Sequence, residues 1–199
     1  MRTGLIDVMT GPYQGNTLPS DVPYGCDNGK FAAAGPRSRW LGHAAWYEWL
    51  TRQTERYGTH LCRFAVAPDV PFDAAGTLRE STPWLAKIRD LGVPAAFAAQ
   101  DGCDTLGLPW GDFDVLFLAG STQWKTGLVA CRLTQEAHER GLRVHMGRVN
   151  SEKRLTIARA FGCDSADGTY LAFGPDTNLD RLLGWLGRAY ERPMLTEGT

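Results

Sequence analysis

Short apolar runs alternating with helical stripes constrain this chain more than any other feature. The runs are GLIDVM (4–9), YGC (24–26), LCRFAVA (61–67), AAFAA (95–99), VLFLA (115–119), RVHM (143–146) and the brief CDSA (163–166). Between them, apolar residues recur at helical spacing. Trp46, Trp49 and Leu50 do so in 40–56, Trp84, Ile88 and Leu91 in 82–91, and Val129, Leu133 and Ala137 in 125–140. Leu155, Ala158 and Phe161 follow in 151–161, and Leu179, Leu182, Leu183 and Leu186 form the clearest stripe. Ser151 stands where it can cap a helix, and Gly141 and Gly162 stand where helices should stop. Repeated strand–helix alternation predicts parallel strands joined by crossover helices. The expected fold is therefore α/β, a compact (β/α) TIM-like barrel, small or trimmed, with its site at the C-terminal strand ends. An open doubly wound sheet competes, although no G-x-G-x-x-G or Walker pattern supports it. No repeat, low-complexity stretch or linker interrupts residues 1–199, so a single domain is expected. The longest irregular piece, TGPYQGNTLPSDVP (10–23), reads as a loop over one mouth of the sheet.

Composition narrows the class. A chain 43% hydrophobic and 22% charged can bury a core, which sets it apart from disordered sequences. No apolar run approaches the roughly 18–20 residues of a membrane span. The opening MRTGLIDVMTGPYQG lacks the apolar core of a signal peptide, so a cytoplasmic protein is expected. Five scattered cysteines without a CxxC indicate neither a disulfide framework nor a structural zinc site. A net charge of −1 argues against a strongly basic, nonspecific nucleic-acid binder and leaves room for a local basic face.

The polar residues that end the strands carry the functional signal. Asp27 follows YGC, Asp69 follows FAVAP, Gln100 follows AAFAA, and Gly120 and Ser121 follow VLFLA. Met146, Gly147 and Arg148 close RVHMGR, and Asp167 and Gly168 follow CDSA. In a parallel barrel these positions converge on one face, which proposes one site with three carboxylates, an amide and bare backbone. An Asp after a strand is equally a helix cap or turn former. Asp73, Asp101, Asp104, Asp112, Asp114 and Asp176 are read that way, and Asp164, at the start of its strand, as structural. His43, His60, His138 and His145 lack metal or triad spacing, and His145 is read as a packed histidine. The tryptophans are read as core, with Trp124 a possible ligand cover.

These motifs carry a resemblance. HMGRVNSEKRLTIARAFGCDSADGTYLAFG, CDNGKF, APD, AAQDG and LAGST resemble, in the same chain order, segments of tRNA-guanine transglycosylases. The nearest likeness is to the short transglycosylase-like proteins of phage and bacterial DNA modification, associated with 7-deazaguanine. The resemblance implies Asp167 as nucleophile and Asp27 as general acid/base. It also implies Asp69, Gln100, Gly120 and Ser121 as contacts to a base, with Phe31 and Met146 sandwiching the ring. Such an enzyme would exchange a guanine-like base in DNA for a 7-deazapurine through a covalent Asp167–sugar intermediate, with no metal or other cofactor.

The chemistry is that of paired carboxylates at a glycosidic bond, one capturing an oxocarbenium-like centre and the other moving protons. Glycines around Asp167 would admit a bulky nucleotide, flipped out or single-stranded. The basic run RVNSEKRLTIAR supplies Arg148, Lys153 and Arg154 for phosphates, with Lys125, Arg37 and Arg39 as further candidates. The same run also reads as a solvated helix face. Lys30 and Ala32 depart from the resembled D-S-G-G-F-Q pattern, and the family's C-terminal zinc region has no counterpart, which favours DNA over tRNA. A hydrolytic DNA glycosylase and a non-catalytic module for modified bases remain alternatives. DNA, a free deazapurine and a DNA-delivering protein are the expected partners, with no membrane.

Overall fold

The computed structural model describes residues 6–15, 17–33 and 40–191. Seven strands follow in the order β1-β2-β3-β4-β5-β6-β7. Sequential order with parallel pairing is the connectivity of a TIM-like α/β fold. A doubly wound sheet would reverse its order at a switch point. Packing groups the chain into two compact units, Met1–Val115 and Leu116–Thr199.

The first unit contains β1 (Val8–Thr10), β2 (Tyr24–Cys26), β3 (Cys62–Val66) and β4 (Ala95–Ala99), with α1 (Lys30–Ala33), α2 (His43–Tyr57) and α3 (Ala74–Asp90). Its strands pair in parallel, Met9 opposite Gly25 and Ala65 opposite Ala95. Tyr24, Phe64, Val66 and Phe97 meet Trp46 and Leu50 of α2 and Leu85 and Ile88 of α3 in a core where none exceeds 4% exposure. Burying each aliphatic side chain there contributes about 1.5–3 kcal/mol. The run AAFAA is buried throughout, and its small residues let α3 pack closely on β4.

Helix α3 starts eight residues earlier than the stripe of 82–91 suggests. Its opening half holds Gly76 and Ser81, which favour a helix less than alanine does. Polar side chains secure it instead. The Asp73 carboxylate caps the helix by accepting from Gly76 N at 2.9 Å, and buried Ser81 donates to Pro68 O at 2.7 Å. Thr77 exchanges hydrogen bonds with both backbone groups of Val70. These ties anchor the helix to the segment that follows β3, a tertiary effect that overrides propensity.

The second unit takes in most of β5 (Val115–Leu118), then β6 (Arg143–Met146) and β7 (Ser165–Ala166). Its helices are α4 (Thr122–Lys125), α5 (Leu128–Glu139), α6 (Glu152–Phe161) and α7 (Pro175–Tyr190). Leu116, Leu118, Val144 and Met146 pack with Ala130, Leu133 and Ala137 of α5 and Ala158 of α6. The expected helix 125–140 is α5, and the short α4 precedes it. Gly127 separates the two, and a Cβ there would lie 3.2 Å from Gln123 O and 3.3 Å from Trp124 O. Ser151 caps α6 through Arg154 N, and Gly162 ends it in the left-handed region at φ 89°.

The first expected strand is trimmed to β1, and its opening residues 4 and 5 lie outside the described residues, as do Arg37 and Arg39. No helix among the described residues is long and apolar enough to cross a membrane.

Candidate functional site

At the strand ends of the first unit a buried carboxylate is held by amides. Asp69, 6% exposed, accepts from Asn28 Nδ2 at 2.9 Å and from Gln100 Nε2 at 2.5 Å. Burial pushes its carboxyl above the ordinary range, while Asn28, Lys30 and Gln100 pull it back. Asn28 is itself buried, donates to Ala67 O at 2.8 Å and accepts from Lys30 N at 2.8 Å. Gln100 Oε1 accepts from Phe72 N at 3.0 Å.

The network therefore reaches two exposed rings. Phe31 is 48% exposed and Phe72 52%, and they meet edge to face with centroids 6.1 Å apart. Phe72 sits at φ 67°, left-handed backbone that bulky residues rarely adopt. An exposed aromatic held there by a buried amide is a strained feature, and strain of this kind collects at functional positions.

Around this core, Lys30 pairs with Glu80 and lies over the Trp40 ring at 4.6 Å. Trp40 Nε1 donates to Asn28 O at 3.0 Å. His43 stacks on Trp84 at 5.4 Å. Asp27 accepts from Gly29 N at 3.3 Å. Pro12 and Tyr13 leave no room for a Cβ on Gly29, so the loop after β1 covers the D-N-G turn as expected.

The strand ends of the second unit gather charge of the opposite sign. Lys125 is fully buried and donates to Gly147 O. Desolvation first, then Arg148 and Arg154, pull its ammonium down to about 7, against the opposing pull of Asp167. Arg148 holds a left-handed backbone at φ 58° and folds its guanidinium onto the carbonyls of Ala119 and Gly120. Arg154 Nη1 donates to Arg148 O at 3.2 Å. Asp167 Oδ1 accepts from Arg148 N at 3.3 Å and lies 3.1 Å from His145 Nε2. His145 is buried, stacks on Phe117 at 4.7 Å and places Nδ1 2.8 Å from Ser165 Oγ.

Asp27, Asp69, Gln100 and Phe31 thus belong to the first unit, and the other expected site residues to the second. The structure joins Asp69 to Gln100, and Asp167 to Arg148. Met146 is buried within β6, Lys153 is exposed on α6, and Ser121 caps α4 by accepting from Trp124 N at 3.2 Å. Sequence reading missed Asn28, Phe72 and the contact of His145 with Asp167. The polar residue beside Asp27 was the available signal for Asn28; Phe72 had none.

The glycines near Asp167 serve the chain rather than a ligand. A Cβ on Gly168 would fall 2.5 Å from Val149 O and from Asn150 Oδ1, and one on Gly147 2.7 Å from Phe117. Asp164 is structural, accepting from Val144 N at 2.7 Å. Trp124 is part-buried, and its indole N–H has no acceptor among the described residues.

No family model matches the chain, and no curated protein does. Among solved structures it is similar to the Bacillus subtilis YkuI protein, with an EAL domain, in complex with substrate c-di-GMP and calcium. That likeness has 16% identity and a TM-score of 0.50, over 87% of this chain and 45% of that one. The Xanthomonas citri FimX EAL domain in complex with c-diGMP is similar at 16% identity and TM-score 0.48, over 75% of this chain and 59% of that one. The EAL enzyme Bd1971, in its cAMP- and cyclic-di-GMP-bound form, follows at 12% identity and TM-score 0.43, over 74% and 39%. The chain therefore spans about half the length of these proteins.

These findings correct the expectation drawn from the motifs. The likeness to YkuI, a protein with an EAL domain in complex with c-di-GMP, overturns the transglycosylase resemblance, which is withdrawn. With it go base exchange or excision on DNA, the modified-base module, and DNA, a deazapurine and a delivery protein as partners. Each of these motifs is a few residues at a strand end, where Gly, Asp, Ser and Pro are also ordinary turn formers, so five in order do not specify a family.

Proposed function

We propose that this chain binds a guanine nucleotide of the cyclic-dinucleotide class, with a base seated at the strand ends of the first unit. The observation that carries this is the exposed Phe31–Phe72 pair tied through Asn28 and Gln100 to the buried Asp69 carboxylate. Aromatic rings give a purine a stacking surface. A carboxylate matches the paired N–H donors of guanine, and each Asp69 oxygen retains accepting capacity beside its amide partner. A cyclic di-GMP complex of a protein with a similar fold supports the choice of ligand.

The calcium of that complex does not transfer. Both oxygens of Asp69 face amide N–H donors, and Asp167 lies among Lys125, Arg148 and Arg154. No group of three or more His, Cys, Asp or Glu suited to a metal occurs among the described residues. The residues do not fit a divalent cation, and the reading is one of binding.

Calorimetric titration of cyclic di-GMP and cyclic di-AMP into the protein tests it. The guanine ligand is expected to bind more tightly. Phe31→Ala and Phe72→Gly should each weaken it by about 1–3 kcal/mol, the worth of one stacked base. Phe72→Gly should leave stability unchanged or raise it, because glycine adopts φ 67° without strain. Affinity should fall on acidification at a higher pH than an ordinary carboxylate would give, since protonated Asp69 loses acceptor capacity. Equal binding of both dinucleotides, or wild-type affinity in Phe72→Gly, would end this reading.

A further inference from the structure

The charged groups that act on Lys125 among the described residues lie on three segments: Arg148 after β6, Arg154 on α6 and Asp167 after β7. Two are cations. The carboxylate is already engaged by His145 and by Arg148 N. Arg148 and Arg154 are part-exposed, and both guanidiniums are fixed on backbone carbonyls, so their positions are set before any ligand arrives. Lys125 has no surface of its own, and its ammonium is held on Gly147 O.

We propose that the second unit binds a tetrahedral oxyanion of the phosphate class against Arg148 and Arg154, and that Lys125 takes up a proton from solvent as the anion binds. The site draws only on second-unit residues and stands independently of the base platform. A buried ammonium repelled by two guanidiniums holds its proton less tightly than an exposed lysine does. An added negative charge favours its protonated form, and by linkage protonation favours the anion. Lys125 makes no contact with the ligand here; it acts as a buried charge.

Sulfate is the probe, because it keeps its charge across the neutral range, titrated into the full chain at constant ionic strength. Affinity should be flat below about pH 6 and fall towards tenfold per unit above about pH 7. Titrations in buffers of different ionisation heat should show net proton uptake on sulfate binding near pH 8. Lys125→Met should bind more weakly and lose the pH dependence. Arg154→Gln should weaken binding and shift the pH midpoint upward, because Arg154 lowers the lysine's affinity for its proton. This variant carries the test alone if Lys125→Met does not fold. Dimethyl phosphate and inorganic phosphate, compared at pH 6, distinguish a nucleotide diester from free phosphate by which binds tighter. Failure of all three anions to bind would overturn the proposal. So would sulfate binding that ignores pH in the wild type, or a wild-type pH profile in Lys125→Met. Loss of dinucleotide binding in Phe72→Gly with sulfate binding intact would separate this site from the base platform.

Discussion

Lys125 is a buried ammonium that costs stability whenever it is charged. Its folded pKa is about 7 against an ordinary 10.5. Between those values the unfolded chain holds a proton that the folded chain has released, so stability rises with pH across that window, by up to about 1.4 kcal/mol per unit. Below about pH 7 the full cost remains. Lys125→Met should therefore stabilise the protein most near pH 6, with the gain shrinking as pH climbs towards 10, as urea unfolding at several pH values would read. The site residues of the two units were unevenly visible in the sequence. Asp69, Gln100 and Arg148 stand out because polar residues interrupt apolar runs at strand ends. Phe72 stays hidden, since its role rests on a backbone angle and an exposure that no residue type announces. His145 looks like a packed histidine and is one, yet its Nε2 lies against Asp167.

Among the elements, those whose ends are written in side chains were legible and those secured by distant partners were not. Ser151 and Gly162 bracket α6 as expected. Ser151→Ala should cost about 1 kcal/mol through the lost acceptor for Arg154 N, measurable by denaturant unfolding. Such a loss bears on function too, because Arg154 stands on the first turn of that helix. The opening half of α3 was illegible because Asp73, Thr77 and Ser81 stabilise it through contacts to Val70, Gly76 and Pro68. The stripe of Val129, Leu133 and Ala137 marked α5, whereas the short α4 before Gly127 had no stripe to mark it. Strand positions fared best, since uniformly apolar runs such as AAFAA and VLFL have few other places to go.

For the molecule as a whole, alternation alone carried the α/β class and the parallel strands, and it left a doubly wound order open beside the sequential one the sheet takes. The function did not follow from the fold, because strand-end turns of similar composition serve unrelated chemistries. Charge has a global consequence. The formal charge is −1 at pH 7 and the sequence pI is about 6.4. Solubility is expected to pass through a minimum near that pH and recover on either side, which turbidity at fixed concentration would reveal. The strands that begin and end the order act against association by another route. β1 has three residues and β7 only two, at the outer positions of a seven-strand order. A foreign strand seeking a template finds few consecutive backbone groups at either place, too few to nucleate a ladder between chains. Brevity at those strands guards the protein against growing into fibrils.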